Sequence, residues 1–166
     1  MAIFHLQINS ISRGAGRSAA AAAAYRAGER IRDERTGVLH NFAYRTDVSH
    51  REILLPSRLQ GADCAWATDR TSLWNAAERA ELRHDARVAR EYQVTLPFEL
   101  SADERLRLAR TLAQELAERH NVAIDLAVHA PPEAGERPES RLNLPWAATT
   151  YRAQRPSLDE PSNTSA

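Results

Sequence analysis

The segment that decides the fold class comprises residues 101–129 and reads SADERLRLARTLAQELAERHNVAIDLAVH. It opens with Ser101 and Glu104, the spacing of a capping box that starts a helix. Apolar residues then recur every three or four positions, as on the buried stripe of a helix, at Ala109, Leu112, Ala113, Leu116 and Ala117. Residues 122–129 switch to an alternation of period two, which predicts a strand with one apolar and one polar face. The segment therefore predicts a helix reaching about His120, followed by a strand that turns its apolar face to the helices.

The chain before this segment carries the same two patterns. Alternation predicts strands, and alanine-rich or 3.6-period stretches predict helices. The strands are expected at residues 3–8, 52–55 and 88–96, and the helices from the N-cap Ser18 to Gly28 and from Asp69 to about Arg83. The apolar faces of the first and last of these strands consist of Phe4, Leu6 and Ile8, and of Tyr92, Val94 and Leu96. Helices together with half-apolar strands predict an α+β fold.

The polar faces of these strands carry residue types that catalytic sites use. His5, Glu91 and His129 lie on such faces, so they meet on one exposed face if the strands form a single sheet. The alternative is a solvated sheet face with unrelated polar residues, since half-exposed antiparallel sheets are common. The alternation alone favours this alternative.

The charge and composition of the chain narrow the possible functions but do not identify one. All 22 basic residues are arginines, and the formal net charge is zero. Arginine binds phosphate through a bidentate fork, although a GC-rich gene is the simpler cause of the missing lysines. Residues 1–32 carry five arginines against one glutamate, a local charge of +4. The single cysteine, Cys64, fits a reducing compartment, and no signal peptide or membrane span is apparent. We therefore expect a cytoplasmic protein.

Several ordered blocks resemble the MobA/MobL family of plasmid-mobilisation relaxases. They are residues 1–8 (MAIFHLQI), 12–14 (SRG), 16–19 (GRSA), 24–29 (AYRAGE), 33–37 (DERTG), 73–75 (LWN), 89–91 (ARE), 96–97 (LP) and 125–129 (DLAVH). The resemblance covers residues 1 to about 132, an incomplete relaxase domain, and leaves 133–166 as an irregular or disordered tail. It implies an antiparallel sheet with helices packed on one face, in a bacterial cytoplasmic enzyme that nicks DNA.

The resemblance implies a tyrosine nucleophile at Tyr25. In the family this tyrosine attacks single-stranded DNA at a plasmid transfer origin, forms a 5′-phosphotyrosyl link and frees a 3′-hydroxyl. Other relaxosome proteins are the further partners it implies. The phosphate is then expected to be bound by Arg13, Arg17, Ser18, Arg26 and the backbone amides that start the helix. Without the resemblance, one tyrosine on an alanine-rich helix would be interpreted as a packing residue.

The resemblance also implies a divalent metal, Mg²⁺ or Mn²⁺, held by three histidines. His129 matches the first, and Glu91 matches an acid that orients a ligand or assists proton transfer. No histidine follows His129, and residues 138–146, where the family is histidine-rich, read PESRLNLPW. One imidazole cannot define a metal site, so metal binding is expected to be weak or absent. The abrupt change indicates a frameshift or truncation, with loss of a central strand.

Three interpretations stay open at this point. The first is a relaxase whose nicking activity is impaired. The second is a non-catalytic remnant that still binds single-stranded DNA, and the third is an unrelated α+β protein with accidental matches. A covalent adduct on Tyr25 distinguishes the first from the second.

Overall fold

The computed structural model describes residues 6–97, 99–130 and, by their backbone alone, 144–149. The strands are β1 (Leu6–Ser12), β2 (Arg30–Arg32), β3 (Leu39–Asn41), β4 (Val48–Leu54), β5 (Arg87–Val94), β6 (Ala123–His129) and β7 (Leu144–Thr149). The α-helices are α1 (Ala19–Ala27), α2 (Arg70–Ala80) and α3 (Ala102–His120). Short 3₁₀ segments lie at Arg13–Ala15, Ser57–Leu59 and Ala62–Thr68.

Five of these strands form one antiparallel sheet in the order β1-β5-β7-β6-β4. β2 and β3 pair separately as a hairpin that packs beside α1. In the sheet, Asn9 of β1 lies opposite Glu91 of β5, and Val48 of β4 lies opposite His129 of β6. The predicted α+β fold with an antiparallel sheet is confirmed.

The helices, predicted on one face of the sheet, occupy both. Ile124 and Leu126 of β6 pack against Ala109 and Ala113 of α3, whereas Asp125 between them bonds to α2. Neighbouring residues of a strand point to opposite faces, so α3 lies on one face and α2 on the other, together with α1. The second face is covered because its polar residues have ionic partners on α1 and α2.

The ends of α1 lie where the sequence predicts them. The Ser18 hydroxyl accepts a hydrogen bond from the first turn at 3.2 Å, and Gly28 at the C-cap has a φ of +61°. A Cβ at Gly28 would lie 3.2 Å from Val48 and 3.4 Å from the Cβ of Arg45. Glycine therefore permits the left-handed backbone and also lets residues 45–48 pack against the last turn of α1.

Residues 144–149 form a strand within the range that was predicted to be irregular or disordered. β7 separates β5 from β6, and Ala147 is in register with both Glu91 and Asp125. Pattern reasoning missed this strand because Pro145 lacks an N–H and proline is rare in central strands. Without β7, two rows of backbone groups between β5 and β6 would lack ladder partners. The expected loss of a central strand is thus corrected, and the remainder of the predicted tail lies outside the described residues.

The edge strand β1 is less covered than its pattern predicts. Leu6 and Ile8 are exposed, because α3 packs over β4, β6 and β7 instead. His5, proposed to share a polar face with Glu91, lies outside the described residues. None of the helices in the described ranges is long and apolar enough to cross a bilayer.

Candidate active site around Tyr25

Tyr25 lies in the last turn of α1 with its phenol ring at the surface, 41% exposed. The ring packs edge-to-face against Phe42, with centroids 5.2 Å apart and planes at 87°. The guanidinium carbons of Arg45 and Arg26 lie 4.2 Å and 5.3 Å from the ring centroid, which is within cation–π range. The phenol hydroxyl has no hydrogen-bond partner in the described part of the chain. An oriented ring with a free hydroxyl suits a nucleophile better than a packing residue.

Arg45 connects Tyr25 to the end of β6. Its Nη1 donates to the backbone carbonyl of Tyr25 at 2.9 Å, and its Nε donates to Asp47 Oδ1 at 2.9 Å. Nη2 bonds the other carboxylate oxygen of Asp47 and lies 3.4 Å from Nδ1 of His129. Sequence analysis missed Arg45 and Asp47 because they lie between elements, in a stretch without periodicity.

His129 ends β6 with a buried side chain whose two ring nitrogens differ. Nδ1 lies 3.1 Å from Asp47 Oδ2. The hydrogen bonds from Arg45, opposed by partial burial and aided by His129, lower the pKa of Asp47 to about 2. Asp47 is therefore a carboxylate at neutral pH, and the hydrogen-bond network assigns the proton of the ring to Nδ1. Burial lowers the pKa of His129, so the imidazole is neutral and Nε2 carries a lone pair.

Among the described residues, this site offers a metal ion one ligand atom, Nε2 of His129. Nε2 of His129 is buried and has no hydrogen-bond partner in the described ranges, and a carboxylate behind Nδ1 is typical of metal-bound histidines. Yet the described residues contain no group of three histidine, cysteine, aspartate or glutamate side chains that could hold a metal. The donor set of the described residues does not fit a complete metal centre, and the expectation of weak metal binding stays a prediction.

Glu91 lies on β5, 4% exposed, with its carboxylate directed towards α1. It forms an ion pair with Arg26, and Asn9 Nδ2 lies 3.5 Å from its other oxygen. Burial lowers the pKa of Arg26, and the charges of Arg45 and Arg17 act in the same direction. Glu91 therefore holds Arg26, the arginine beside the candidate nucleophile, and is linked to the Tyr25 ring through that arginine.

Glu91 and His129 share the α1 side of the sheet, as the alternation predicts, but they do not meet. Through β7, Glu91 is in register with Asp125. His129 lies four residues beyond Asp125 along β6, which is about 13 Å from Asp125 at the usual rise of a strand. Both residues are instead linked to the Tyr25 ring through an arginine, Glu91 through Arg26 and His129 through Asp47 and Arg45.

Two of the expected DNA contacts, Arg13 and Ser18, are held inside the fold. Arg13 Nε donates to Glu78 Oε2 at 2.9 Å, and the Arg13 side chain is only 8% exposed. Ser18 Oγ donates to Asp33 Oδ2 at 2.8 Å. The first amide of α1, that of Ala19, donates to Glu78 Oε1 at 2.7 Å. The start of α1 thus already binds a carboxylate, so its amides and Arg13 have structural roles in place of the expected phosphate contacts.

Arg17 is the exposed member of the same segment. Its guanidinium has no partner among the described residues. The charges of Arg17 and Arg45 both lower the pKa of Arg26, so the three guanidinium groups are close enough to interact beside α1. We call Arg17, Arg26 and Arg45 the arginine row; such a row can follow the backbone of a single nucleic-acid strand.

A buried ionic network supports the sheet beneath this site. Asp125 accepts hydrogen bonds from Arg70 Nε at 2.8 Å, from Arg70 Nη2 at 2.9 Å and from Trp74 Nε1 at 2.8 Å. Arg70 Nη1 also donates to Glu29 Oε1 at 2.6 Å. Burial opposes the charge of Arg70, but the two carboxylates outweigh burial and raise its pKa. The network ties α2 to β6 and to the residue that follows the cap of α1.

Comparison with known proteins identifies the family of this fold and site. Residues 17–142 match the family model described as "MobA/MobL family". The chain belongs to the MobA/MobL family. This confirms the resemblance seen in the sequence blocks, and it excludes the interpretation of accidental matches.

The relatives of this MobA/MobL chain are mobilisation and conjugal transfer proteins. It is 45% identical over 137 residues to "Mobilization protein MobL" of Acidithiobacillus ferridurans, covering 82% of this chain and 34% of the relative. It is 32% identical over 121 residues to "Conjugal transfer protein TraA" of Agrobacterium fabrum, covering 69% of this chain and 11% of the relative. The chain therefore spans about a third or less of the length of these relatives.

A solved structure shares the fold of this MobA/MobL chain. It is described as "Molecular Basis of Vancomycin Resistance Transfer in Staphylococcus aureus", and the two chains superpose with a TM-score of 0.75 at 27% identity. The likeness covers 89% of this chain and 70% of that one. The family match includes Tyr25, Arg26, Glu91 and His129.

Proposed function

We propose that this chain is a DNA-nicking domain of plasmid mobilisation that acts in the bacterial cytoplasm on single-stranded DNA of a transfer origin. Other relaxosome proteins are its proposed partners. The observation that carries the proposal is the exposed phenol of Tyr25 with the guanidinium groups of Arg26 and Arg45 both close to its ring. A phosphodiester at Tyr25 would meet a nucleophile and two guanidinium groups at once, each of them also paired with a carboxylate, Glu91 or Asp47. Membership of the MobA/MobL family and relatives named for mobilisation and conjugal transfer support the same proposal.

The proposed reaction is a transesterification. The phenol oxygen of Tyr25 attacks the phosphorus, its proton passes to solvent, and an O–P bond forms. The bond between phosphorus and the 3′ oxygen breaks, and that oxygen takes up a proton. One phosphodiester replaces another, so the energy of the broken bond is kept in the 5′-phosphotyrosyl link. Arg26 and Arg45 stabilise the charge that develops on the phosphate oxygens.

The remaining residues position these groups. Glu91 fixes Arg26 through their ion pair, and Asp47 fixes both Arg45 and the ring of His129. In the proposal His129 offers Nε2 as a single ligand to Mg²⁺ or Mn²⁺, which would supply further charge neutralisation when bound. Because that donor set is incomplete, no step is assigned to a metal, and nicking is proposed to be slow.

The test is a covalent adduct on Tyr25. The protein is incubated with single-stranded origin DNA, and denaturing gels and mass spectrometry locate the adduct. Tyr44 gives a matched control, because it is a second exposed tyrosine on the neighbouring segment and contacts the same Phe42. Tyr25→Phe should abolish the adduct, whereas Tyr44→Phe should leave it. An adduct that persists in Tyr25→Phe would contradict the proposal.

A second candidate is a DNA-binding domain without catalysis. The observation that favours it is the single ligand, His129, at the expected metal position. It predicts that the protein binds single-stranded DNA but forms no adduct even after long incubation. The adduct assay therefore separates the two candidates.

A further inference from the structure

We propose that a cleft beside the start of α1 binds a nucleotide of the DNA strand a few positions away from the phosphate that Tyr25 attacks. The inference rests on the proposed function, since it needs a DNA strand at Tyr25. The cleft has a volume of about 550 Å³ and lies between α1, the β2–β3 hairpin and the loop after α2. We call it the hairpin cleft; its lining includes Arg17, Arg35, Val38, His40, Leu82 and His84.

The hairpin cleft carries one uncompensated positive charge. Arg13 pairs with Glu78, and Arg35 lies 3.4 Å from Glu78 and 4.0 Å from Asp33. These two carboxylates offset two of the three arginines in the lining. The third, Arg17, is exposed and has no partner in the described ranges. A single free guanidinium matches the single charge of a phosphodiester and can bind it bidentately.

The charge that would meet the phosphate belongs to a side chain and not to the helix terminus. The first amide of α1 is bonded to Glu78, and the amide of Ala21 is bonded to Ser18. The anion partner is therefore Arg17. This makes the proposal testable by substitution at an exposed position.

The rim and size of the cleft fit the rest of a nucleotide. Val38 is 49% exposed and Leu82 is 93% exposed, so apolar groups are available to cover one face of a base. The volume lies within the usual range of small-ligand sites. Nε2 of His40 is buried, 4.0 Å from Asp33, and has no hydrogen-bond partner among the described residues.

The distance from the hairpin cleft to Tyr25 indicates which nucleotide of the DNA strand would occupy the cleft. Tyr25 lies seven positions after the N-cap Ser18, which is roughly 10 Å along α1. Stacked nucleotides rise about 3.4 Å each along one strand, so the hairpin cleft lies roughly three stacked nucleotides from the attacked phosphate. The arginine row connects the two places, since the charge of Arg17 reaches Arg26.

The first experiment measures how binding depends on salt. Fluorescence anisotropy of a labelled 20-residue oligothymidylate is followed over a salt series for the full chain, Arg17→Ala and Arg107→Ala. Arg107 is also exposed but belongs to α3 on the other face of the sheet. Arg17→Ala should weaken binding by about 3- to 10-fold at low salt and lower the salt slope by about 0.7, the loss of one phosphate contact. Arg107→Ala should change neither.

The second experiment adds a negative charge at the rim. Leu82→Glu should weaken binding several-fold, because it replaces an apolar contact of the base with a carboxylate that repels the phosphate bound by Arg17 in the same cleft. Leu108→Glu makes the same change at an exposed position of α3 and should have little effect. Both positions are exposed, so folding is preserved, and circular dichroism checks this.

The outcomes separate this inference from the proposed function. In one outcome the wild-type chain binds DNA and forms the Tyr25 adduct, but Arg17→Ala behaves like Arg107→Ala and Leu82→Glu behaves like Leu108→Glu. Nucleotide binding in the hairpin cleft is then overturned, and the proposed function stands. If the wild-type chain neither binds the oligonucleotide nor forms an adduct, both are overturned. Selective loss with Arg17→Ala and Leu82→Glu supports the cleft.

Discussion

Arg45 donates a hydrogen bond to the backbone carbonyl of Tyr25 at 2.9 Å, and its guanidinium carbon lies 4.2 Å from the centre of the Tyr25 ring. The same side chain bonds both oxygens of Asp47, which in turn holds Nδ1 of His129. One arginine therefore fixes the nucleophile relative to the end of β6. A lysine cannot make these contacts together, because its ammonium is a point charge and not a planar fork.

Arg45→Lys should separate positioning from charge. We expect adduct formation on Tyr25 to slow by about 100-fold, the usual loss when one stabilising donor is removed from a developing charge. DNA affinity should change only slightly because the positive charge is kept. An oligonucleotide with a 3′ sulfur leaving group makes slow nicking measurable under single-turnover conditions. Arg30→Lys is the control, since Arg30 is exposed on β2 and bonds only Asn41 among the described residues. A rate for Arg45→Lys within threefold of wild type would contradict the positioning role.

The protein should become less stable in acid as the carboxylate of Asp47 takes up a proton and its bonds to Arg45 weaken. The pKa of Asp47 in the folded protein is about 2, mainly through the hydrogen bonds from Arg45, whereas an unfolded aspartate has a pKa near 4. A depressed pKa means that the stabilisation is complete above about pH 4 and is lost as the pH falls towards 2. The difference in denaturation midpoint between wild type and Asp47→Asn should therefore shrink over this range. A difference that stays constant from pH 5 to pH 2 would show that the ion pair does not contribute.

Asp125→Ala should destabilise the fold strongly. The substitution leaves Arg70 buried with one carboxylate fewer and leaves Trp74 Nε1 without its acceptor. Breaking a buried ion pair by removing one partner costs about 3–5 kcal/mol, measured here as the free energy of unfolding in urea. Asp85→Ala is the control, because its ion pair with Arg83 is exposed, and it should change stability little. Equal effects of the two substitutions would contradict a structural role for the network.

The elements with strong local signals could be predicted from the sequence. The capping box at Ser101 and Glu104, the helix to His120 and the αL cap at Gly28 all lie where local chemistry predicts them. Caps and apolar periodicity act within one turn of chain, so a single sequence contains them. The alternation likewise located β5 and β6, whose observed ends differ from the predicted ones by only one or two residues.

The parts that depend on distant partners could not be predicted. Arg13 was expected to bind DNA, yet its buried contact is Glu78, 65 residues away. Arg45 and Asp47 lie in an irregular stretch, and tertiary contacts, among them that of Gly28 with this segment, bring them to Tyr25. β7 was missed because its backbone pairing with β5 and β6 outweighs the poor strand propensity of Pro145. Such features follow from tertiary structure and leave no local pattern.

Nicking by this chain should be slow and should respond weakly to metal. Nε2 of His129 has no hydrogen-bond partner among the described residues, and residues 130–166 contain no histidine, so within this chain Arg26 and Arg45 are expected to meet the charge on the attacked phosphate. Metal stabilisation of such charge is worth several kcal/mol, and about 4 kcal/mol corresponds to roughly a thousandfold in rate. A variant that carries a His-x-His segment within β7 should therefore nick much faster, and His129→Ala in that variant should remove the gain. Calorimetry with Mn²⁺ or Mg²⁺ beside the nicking assay provides the measurement. Micromolar metal affinity together with rapid nicking in the unmodified chain would overturn the prediction and would mean that other residues complete the site.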